Sequence, residues 1–208
     1  MLSAHLIGYP RIGPARELKW ALEGAWNGRL APAEFSARID GLRRAHLDEQ
    51  RALIGSAVDD FFLYDEVLET ALMLGIAPEP LRARLADDPF GVLSALARGT
   101  PDREAWAMTK WFDTNYHYVV PERSADHGTG DERLTPLPWR VPLTGDPSVT
   151  WAVLGPYSLL KLIKHETDGA GVELSGALGR AYWSFVREQA GRDPSFRLQL
   201  DEPCLGLV

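Results

Sequence analysis

Lys110, Trp111, Asp113, Asn115, Tyr116, His117 and Tyr118 lie within one short segment, Met108–Glu122. A cation, a carboxylate, an amide, an imidazole and several flat rings crowd together there. Neither an amphipathic helix nor a half-buried strand needs that mixture. A site that grips a flat, anionic, hydrogen-bonding ligand does: rings stack, the lysine supplies a point charge, and polar groups orient the ligand. A structural reading is also open. Trp111 then packs inward while Lys110 snorkels to solvent, and Asn115, Tyr116 and His117 satisfy the backbone of an ordered loop.

Four further groups could carry chemistry. Arg16, Glu17 and Lys19 fall at the start of an expected helix, with Arg16 in its first turn, where a cation opposes the helix dipole. A carboxylate bound at the free N–H groups would turn that cation to use; otherwise the turn is merely solvated. Asp65, Asp201 and Glu202 stand at the ends of expected strands, where they bind an amine or move a proton, cap the next helix, or pair with Arg11. His46 and Glu49, three apart on one helix, suit a pair of metal ligands or a packed, hydrogen-bonded histidine, and no third ligand accompanies them. Cys204 is the single cysteine, so no intrachain disulfide and no cysteine pair for zinc exists, and it reads as a small buried residue. No nucleophilic triad and no glycine-rich phosphate loop is present.

The elements that must position these residues follow from periodicity and punctuation. A short apolar strand is expected over Ala4–Gly8, then a turn at Tyr9–Gly13 and a helix from Pro14 to Trp26, stopped by Asn27-Gly28. Pro32 opens a second helix, whose stripe of Phe35, Ile39, Leu42 and Leu53 passes through His46 and Glu49. A second strand is expected over Asp59–Asp65, then helical pieces near 66–74, 79–85, 89–97 and 103–111. Residues 123–148 read as irregular. Thr150–Leu154 is an expected strand, with a helix from Gly155-Pro156 to Lys164. A helix over 173–190 buries Leu174, Leu178, Ala181, Phe185 and Val186, and a last strand spans Phe196–Leu200. Strands alternating with helices imply parallel βα units. Polar residues gather at the strand ends, as in a βα barrel. The expected class is therefore α/β, a TIM-barrel-like parallel sheet. It is incomplete, because four or five strands fall short of the eight, in about 250 residues, of a closed barrel.

At 208 residues the chain suits one domain, 1–208. Its net charge of −7 argues against general nucleic-acid binding. Only four of its 22 basic residues are lysines, Lys19, Lys110, Lys161 and Lys164, in a chain that otherwise uses arginine. No apolar run is long enough for a membrane span, and the N-terminus lacks the pattern of a signal peptide. A cytoplasmic location is expected.

Six segments together resemble the N-terminal domain of cobalamin-independent methionine synthase. They are Gly8-Tyr9-Pro10-Arg11-Ile12-Gly13, Arg16-Glu17-Leu18-Lys19, Phe62–Asp65, Met108–Glu122, Leu154-Gly155-Pro156 and Gln199–Pro203. They occur in the family's order, and Met108–Glu122 is the most specific. The resemblance implies methyl transfer from 5-methyltetrahydrofolate polyglutamate to homocysteine, with two βα barrels. The C-terminal barrel binds zinc and homocysteine, and the N-terminal one helps hold the folate and its tail. It also implies folate contacts at Arg16, Glu17, Leu18, Lys19 and Lys110; Trp111, Asn115, His117, Asp201 and Glu202 are candidate supporting residues on their chemistry alone.

The departures qualify what is implied. The zinc-binding C-terminal domain is not in this sequence, so the chain itself is expected to bind no cofactor and zinc is expected only in a partner domain. The region near 123–148 is shortened, and Asp113 replaces the family's usual asparagine. No bond-making residue is implied; the named residues position substrate. Three readings stay open: folate binding together with a zinc-barrel partner protein, a non-catalytic interaction or regulatory module that covers its open sheet by association with itself or another chain, and a divergent relative with a new small-molecule ligand.

Overall fold

The computed structural model describes residues 4–123, 133–165 and 170–207. The chain is mixed α/β. Its main sheet has three strands, β1 (Ala57–Asp59), β5 (Val149–Leu154) and β7 (Arg197–Asp201), in the order β1-β5-β7. β1 runs parallel to β5 with Val58 opposite Thr150. Two small sheets join β2 (Met108–Lys110) to β3 (His117–Val119), antiparallel, and β4 (Glu122–Arg123) to β6 (Lys164–His165), parallel. No closed barrel occurs among the described residues.

The chain divides into two compact units. The first holds residues 1–63, 139–152 and 193–199. Its helices are α1 (Glu17–Trp26) and α2 (Pro32–Ile54). α2 starts at Pro32, where the sequence expects it, and is ended by Gly55 in the left-handed conformation. Leu18, Ala21, Leu22, Phe35, Ile39, Leu47, Val58 and Trp151 are buried here, whereas Leu53, expected in the stripe, is 69% exposed. The short 3-10 helix Pro138–Arg140 delivers Arg140 to this unit.

The second unit holds residues 64–138, 153–192 and 200–208. It contains α3 (Glu66–Met73), α4 (Glu79–Arg82), α5 (Pro89–Arg98), α6 (Pro156–Leu162) and α7 (Ala170–Arg192). Asp65 and Asp88 cap α3 and α5 through Leu68 N–H and Gly91 N–H. Leu68, Leu72, Val92, Leu93, Leu96, Val119, Leu154, Leu159 and Phe185 are buried. Of the α7 stripe, Leu174, Leu178, Ala181 and Phe185 are buried and Val186 is half-buried.

Several expectations are corrected. Residues 4–8 form no strand, since Ile7 is 84% exposed and its carbonyl accepts from the Gln199 side chain instead of from a ladder partner. The second strand is Ala57–Asp59, not Asp59–Asp65. Gln50 brackets Val58 through both backbone groups, and beyond Asp59 the carbonyls of Phe61 and Leu63 are taken by Arg140 and Arg11. Side chains have replaced the ladder there, so pairing stops. Residues 103–111 are not helical: a tight Thr100–Arg103 turn follows α5, and Met108–Lys110 then pairs with His117–Val119. α1 begins at Glu17, not Pro14, and α4 is one turn long. α6 ends at Leu162, because Lys164 N–H bonds Pro121 and joins a ladder. In the stretch read as irregular, 133–148 carries only the short 3-10 turn, and 124–132 lies outside the described residues.

Candidate functional site

In the first unit, the candidate residues stand where a pinned loop feeds α1. Gly13 has φ +80, a backbone conformation that residues with side chains rarely adopt and that favours glycine here. Arg16 N–H donates to Gly13 O at 3.0 Å, closing the turn. Arg16 is the helix N-cap, not a first-turn residue, and adopts φ 62 and ψ 37. That left-handed conformation costs a non-glycine residue about 1–2 kcal/mol. Glu17 reaches back to accept from Ala15 N–H at 3.0 Å, and Leu18 is fully buried. Lys19 Nζ lies 3.7 Å from Glu23 and 4.8 Å from the Trp20 ring centroid. The Arg16 side chain is exposed, with no hydrogen bond or ion pair among the described residues, and α1 has no side-chain cap. Arg16 thus combines a strained backbone with a solvated cation at a helix start that no side chain caps.

Behind this loop lies a buried charge cluster. Asp59 is held by Arg43 through Nε, at 3.0 Å, and Nη2. Arg140, 2% exposed, donates to Phe61 O and Ala152 O, each at 2.6 Å, and its guanidinium lies over the Trp151 ring. Asp60 Oδ2 accepts from Tyr9 N–H at 2.8 Å. Burial pushes the Asp60 carboxyl up to about 6, with the Tyr9 N–H and the Arg140 charge working against that rise. Tyr9 is raised above its ordinary value, first by its side-chain hydrogen bond with Glu49. The His46 ring packs against Tyr9 and Phe61 at 5.3 and 6.0 Å, and burial lowers its pKa, favouring the neutral form. The packed half of the His46 expectation holds; the hydrogen-bonded half does not extend to Nε2, which has no partner among the described residues.

In the second unit, Lys110 lies on β2 directly across from His117 on β3, both exposed. Trp111 is half-buried and meets Phe112 edge-on at 4.9 Å and Tyr118 at 5.8 Å, so its ring braces the hairpin. The hairpin tip is tied by Trp111 N–H to Tyr116 O, at 2.7 Å, and by the Thr114 hydroxyl, which donates to Trp111 O at 2.6 Å. Thr114, not Asn115 or His117, satisfies the tip backbone. The Asn115 and His117 side chains are exposed, with no hydrogen bond or ion pair among the described residues. Asp65 accepts from Leu68 N–H and Val119 N–H, at 2.8 and 3.0 Å, which fastens the hairpin to the start of α3. Glu202 accepts from Tyr157 N–H at 3.0 Å and Ser158 N–H at 2.6 Å, capping α6. Asp201 closes β7 and gives its carbonyl to Gly155 N–H at 2.7 Å.

Arg16–Lys19 thus belong to one unit, and Lys110, Trp111, Asn115, His117, Asp201 and Glu202 to the other. The sequence reading missed Asp60, Arg140 and the Tyr9–Glu49 bond. Adjacent aspartates after a short apolar run carried the only signal for Asp60.

A parallel sheet flanked by helices, with charged residues gathered where strands end, defines a mixed α/β protein of the βα kind. Residues 3–208 match the family described as cobalamin-independent synthase, N-terminal domain, and the chain belongs to that family, the N-terminal part of cobalamin-independent methionine synthase. It is 38% identical over 216 residues to the 5-methyltetrahydropteroyltriglutamate–homocysteine methyltransferase of Aeromonas salmonicida, covering 100% of this chain and 28% of that protein. The enzyme of the same name from Chelativorans sp. is 38% identical over 219 residues, covering 97% of this chain and 28% of its own. That from Streptomyces coelicolor is 46% identical over 128 residues, 59% of this chain and 16% of its own. The chain spans about 28% of the length of the first two relatives.

Proposed function

We propose that this chain binds the polyglutamate tail of methylated folate and presents it for methyl transfer to homocysteine. Arg16, Glu17, Leu18 and Lys19 make the contacts of the first unit, and Lys110 is a separate candidate contact on the second. The observation that carries the reading is Arg16, held in a left-handed conformation at an uncapped helix start with its guanidinium in solvent. Tail carboxylates would meet that cation, the helix N-terminus and Lys19 together. Leu18 anchors the segment. Lys110 supplies a second cation on a rigid hairpin, with Trp111 fixing the strand that carries it and Asn115 and His117 offering polar contacts nearby. Asp201 and Glu202 support the site indirectly, by holding β7 and α6 together.

The relatives' printed names specify the substrate pair, 5-methyltetrahydropteroyltriglutamate and homocysteine. No group of three His, Cys, Asp or Glu stands together among the described residues, and Cys204 is buried. On this reading transfer to homocysteine belongs to a zinc-bearing partner domain, and this chain positions substrate. The three-stranded sheet is read as an arc of a TIM-type βα barrel. The protein works in the cytoplasm; no helix of the described residues is long and apolar enough to cross a membrane.

Calorimetry with 5-methyltetrahydrofolate triglutamate tests the reading. Saturable heat that weakens in Arg16→Ala and Lys110→Ala supports it; no heat at millimolar ligand with folded protein rejects it. A second reading, an interaction module that associates with itself or another chain, is favoured by Trp20 and Trp183, 53% and 64% exposed. Light scattering that shows a monomer at all concentrations rejects self-association.

A further inference from the structure

We infer that Asp60 is a positioning residue, the latch that holds the loop Gly8–Gly13 and so sets the place of Arg16–Lys19. Three contacts pin this loop to the chain just after β1. Asp60 Oδ2 accepts from Tyr9 N–H at 2.8 Å. Arg11 donates to Leu63 O at 2.8 Å, and its guanidinium stacks 4.2 Å from the Phe62 ring centroid. The backbone approaches so closely that a Cβ on Gly8 would lie 3.1 Å from Asp60 Oδ2. Of these contacts, only the Asp60 bond has an ionisable acceptor aimed at a backbone donor. A charged acceptor makes roughly twice as strong a bond as a neutral one. From the pinned loop the chain runs directly into the Gly13–Arg16 turn and α1.

The charges around Asp60 belong to several elements. Asp59 precedes it on β1 and is neutralised by Arg43 of α2, while Arg140 approaches from the 3-10 helix. Tyr9 faces it from the loop, itself in contact with His46 and Glu49 of α2. None of the carboxylates among them accepts from the Tyr9 amide, so Asp60 alone controls that bond. Its carboxyl, raised to about 6 mainly by burial, changes charge just below neutrality. The Tyr9 N–H bond itself favours the charged carboxylate, so this one bond is stronger at pH 7.5 than at pH 5, although burying the charge costs the whole fold stability.

Hydrogen exchange read on the peptide covering Gly8–Arg16 tests the latch without ligand. At pH 7.5, Asp60→Ala is expected to exchange there about tenfold faster than the wild type, the scale of one bond to a charged acceptor, with α2 unchanged. Asp60→Asn, which keeps a neutral acceptor, should fall between. After correction for intrinsic rates, the wild type should lose protection in this segment between pH 7.5 and pH 5, and Asp60→Asn should not. Unaltered exchange in Asp60→Ala overturns the proposal; if that variant does not fold, equal pH responses of wild type and Asp60→Asn overturn it. The consequence for affinity rests on the folate reading above. Triglutamate binding should weaken from pH 7.5 to pH 5 in the wild type more than in Asp60→Asn. A wild type that binds no folate defeats that reading alone, while the exchange data still decide the latch.

Discussion

Arg43 and Asp59 form a buried pair in which two guanidinium nitrogens meet two carboxylate oxygens, tying α2 to the last residue of β1. Both side chains are at least nine-tenths buried, and Arg43 also donates to Val141 O at 2.7 Å. Breaking such a pair leaves one charge buried and unpaired. Arg43→Ala should therefore cost about 3–5 kcal/mol of stability, and the double variant Arg43→Met/Asp59→Leu much less. Urea denaturation of both proteins measures this; equal losses would show that the pair is not what joins the two elements.

Asp60 should make stability depend on pH in an unusual direction for a carboxylate. Its folded pKa, about 6, lies above the ordinary carboxylate value of 3.8, so the folded state binds the extra proton between these values. Stability contributed by Asp60 is then present below about 3.8 and lost as pH rises through about 6. Across that window the loss amounts to roughly 3 kcal/mol. Relative to wild type, Asp60→Asn should gain stability by up to that amount between pH 4 and pH 7. A stability difference that stays flat with pH would contradict the assignment.

Arg16 should separate stability from binding. Arg16→Gly relieves a left-handed non-glycine residue and should stabilise the protein by about 1 kcal/mol in thermal unfolding. The same change removes the exposed cation and should weaken triglutamate binding about fivefold to tenfold. Lys110→Ala should weaken binding on a similar scale with little effect on stability, because Lys110 is exposed. Added salt should weaken wild-type binding, since both cations face solvent. A less stable Arg16→Gly would refute the strain argument, and unchanged affinities would refute the site.

Glu202 should behave as a helix cap rather than as an acid or base. Glu202→Ala leaves the Tyr157 and Ser158 N–H groups at the start of α6 without their acceptor, at about 1–2 kcal/mol. Gly155→Ala should cost a similar amount, because its Cβ would lie 2.2 Å from Glu202 Oε1 and push the carboxylate off the cap. In the double variant the second change should add little. Additive losses, read by denaturant midpoints, would show that the two residues act separately.

What the sequence made legible, and what it did not, follows from the range of the interactions. α2 and α7 were readable because 3-and-4 spacing and a proline or glycine at a boundary are local signals. β1 was misplaced because its end is set by Arg140 and Arg11, which bond carbonyls 79 and 52 residues away. The expected helix 103–111 overruns only the first strand of the hairpin, Met108–Lys110, since a three-residue strand carries too few residues to show its period. The candidate ligand residues were visible as residue types. The left-handed conformation of Arg16 was not, because it is a backbone setting of the Gly13–Arg16 turn that an arginine does not signal. Glu202 looked like a strand-end acid, yet its partners lie 44 and 45 residues earlier.

The most direct measurement is the heat of 5-methyltetrahydrofolate triglutamate binding to the folded chain at pH 7.5 and low salt, beside the monoglutamate. Saturable binding is expected, tighter for the triglutamate, weakened by salt and by Arg16→Gly. Absence of binding at millimolar triglutamate, or equal affinity for the two folates, would contradict a tail site at Arg16–Lys19.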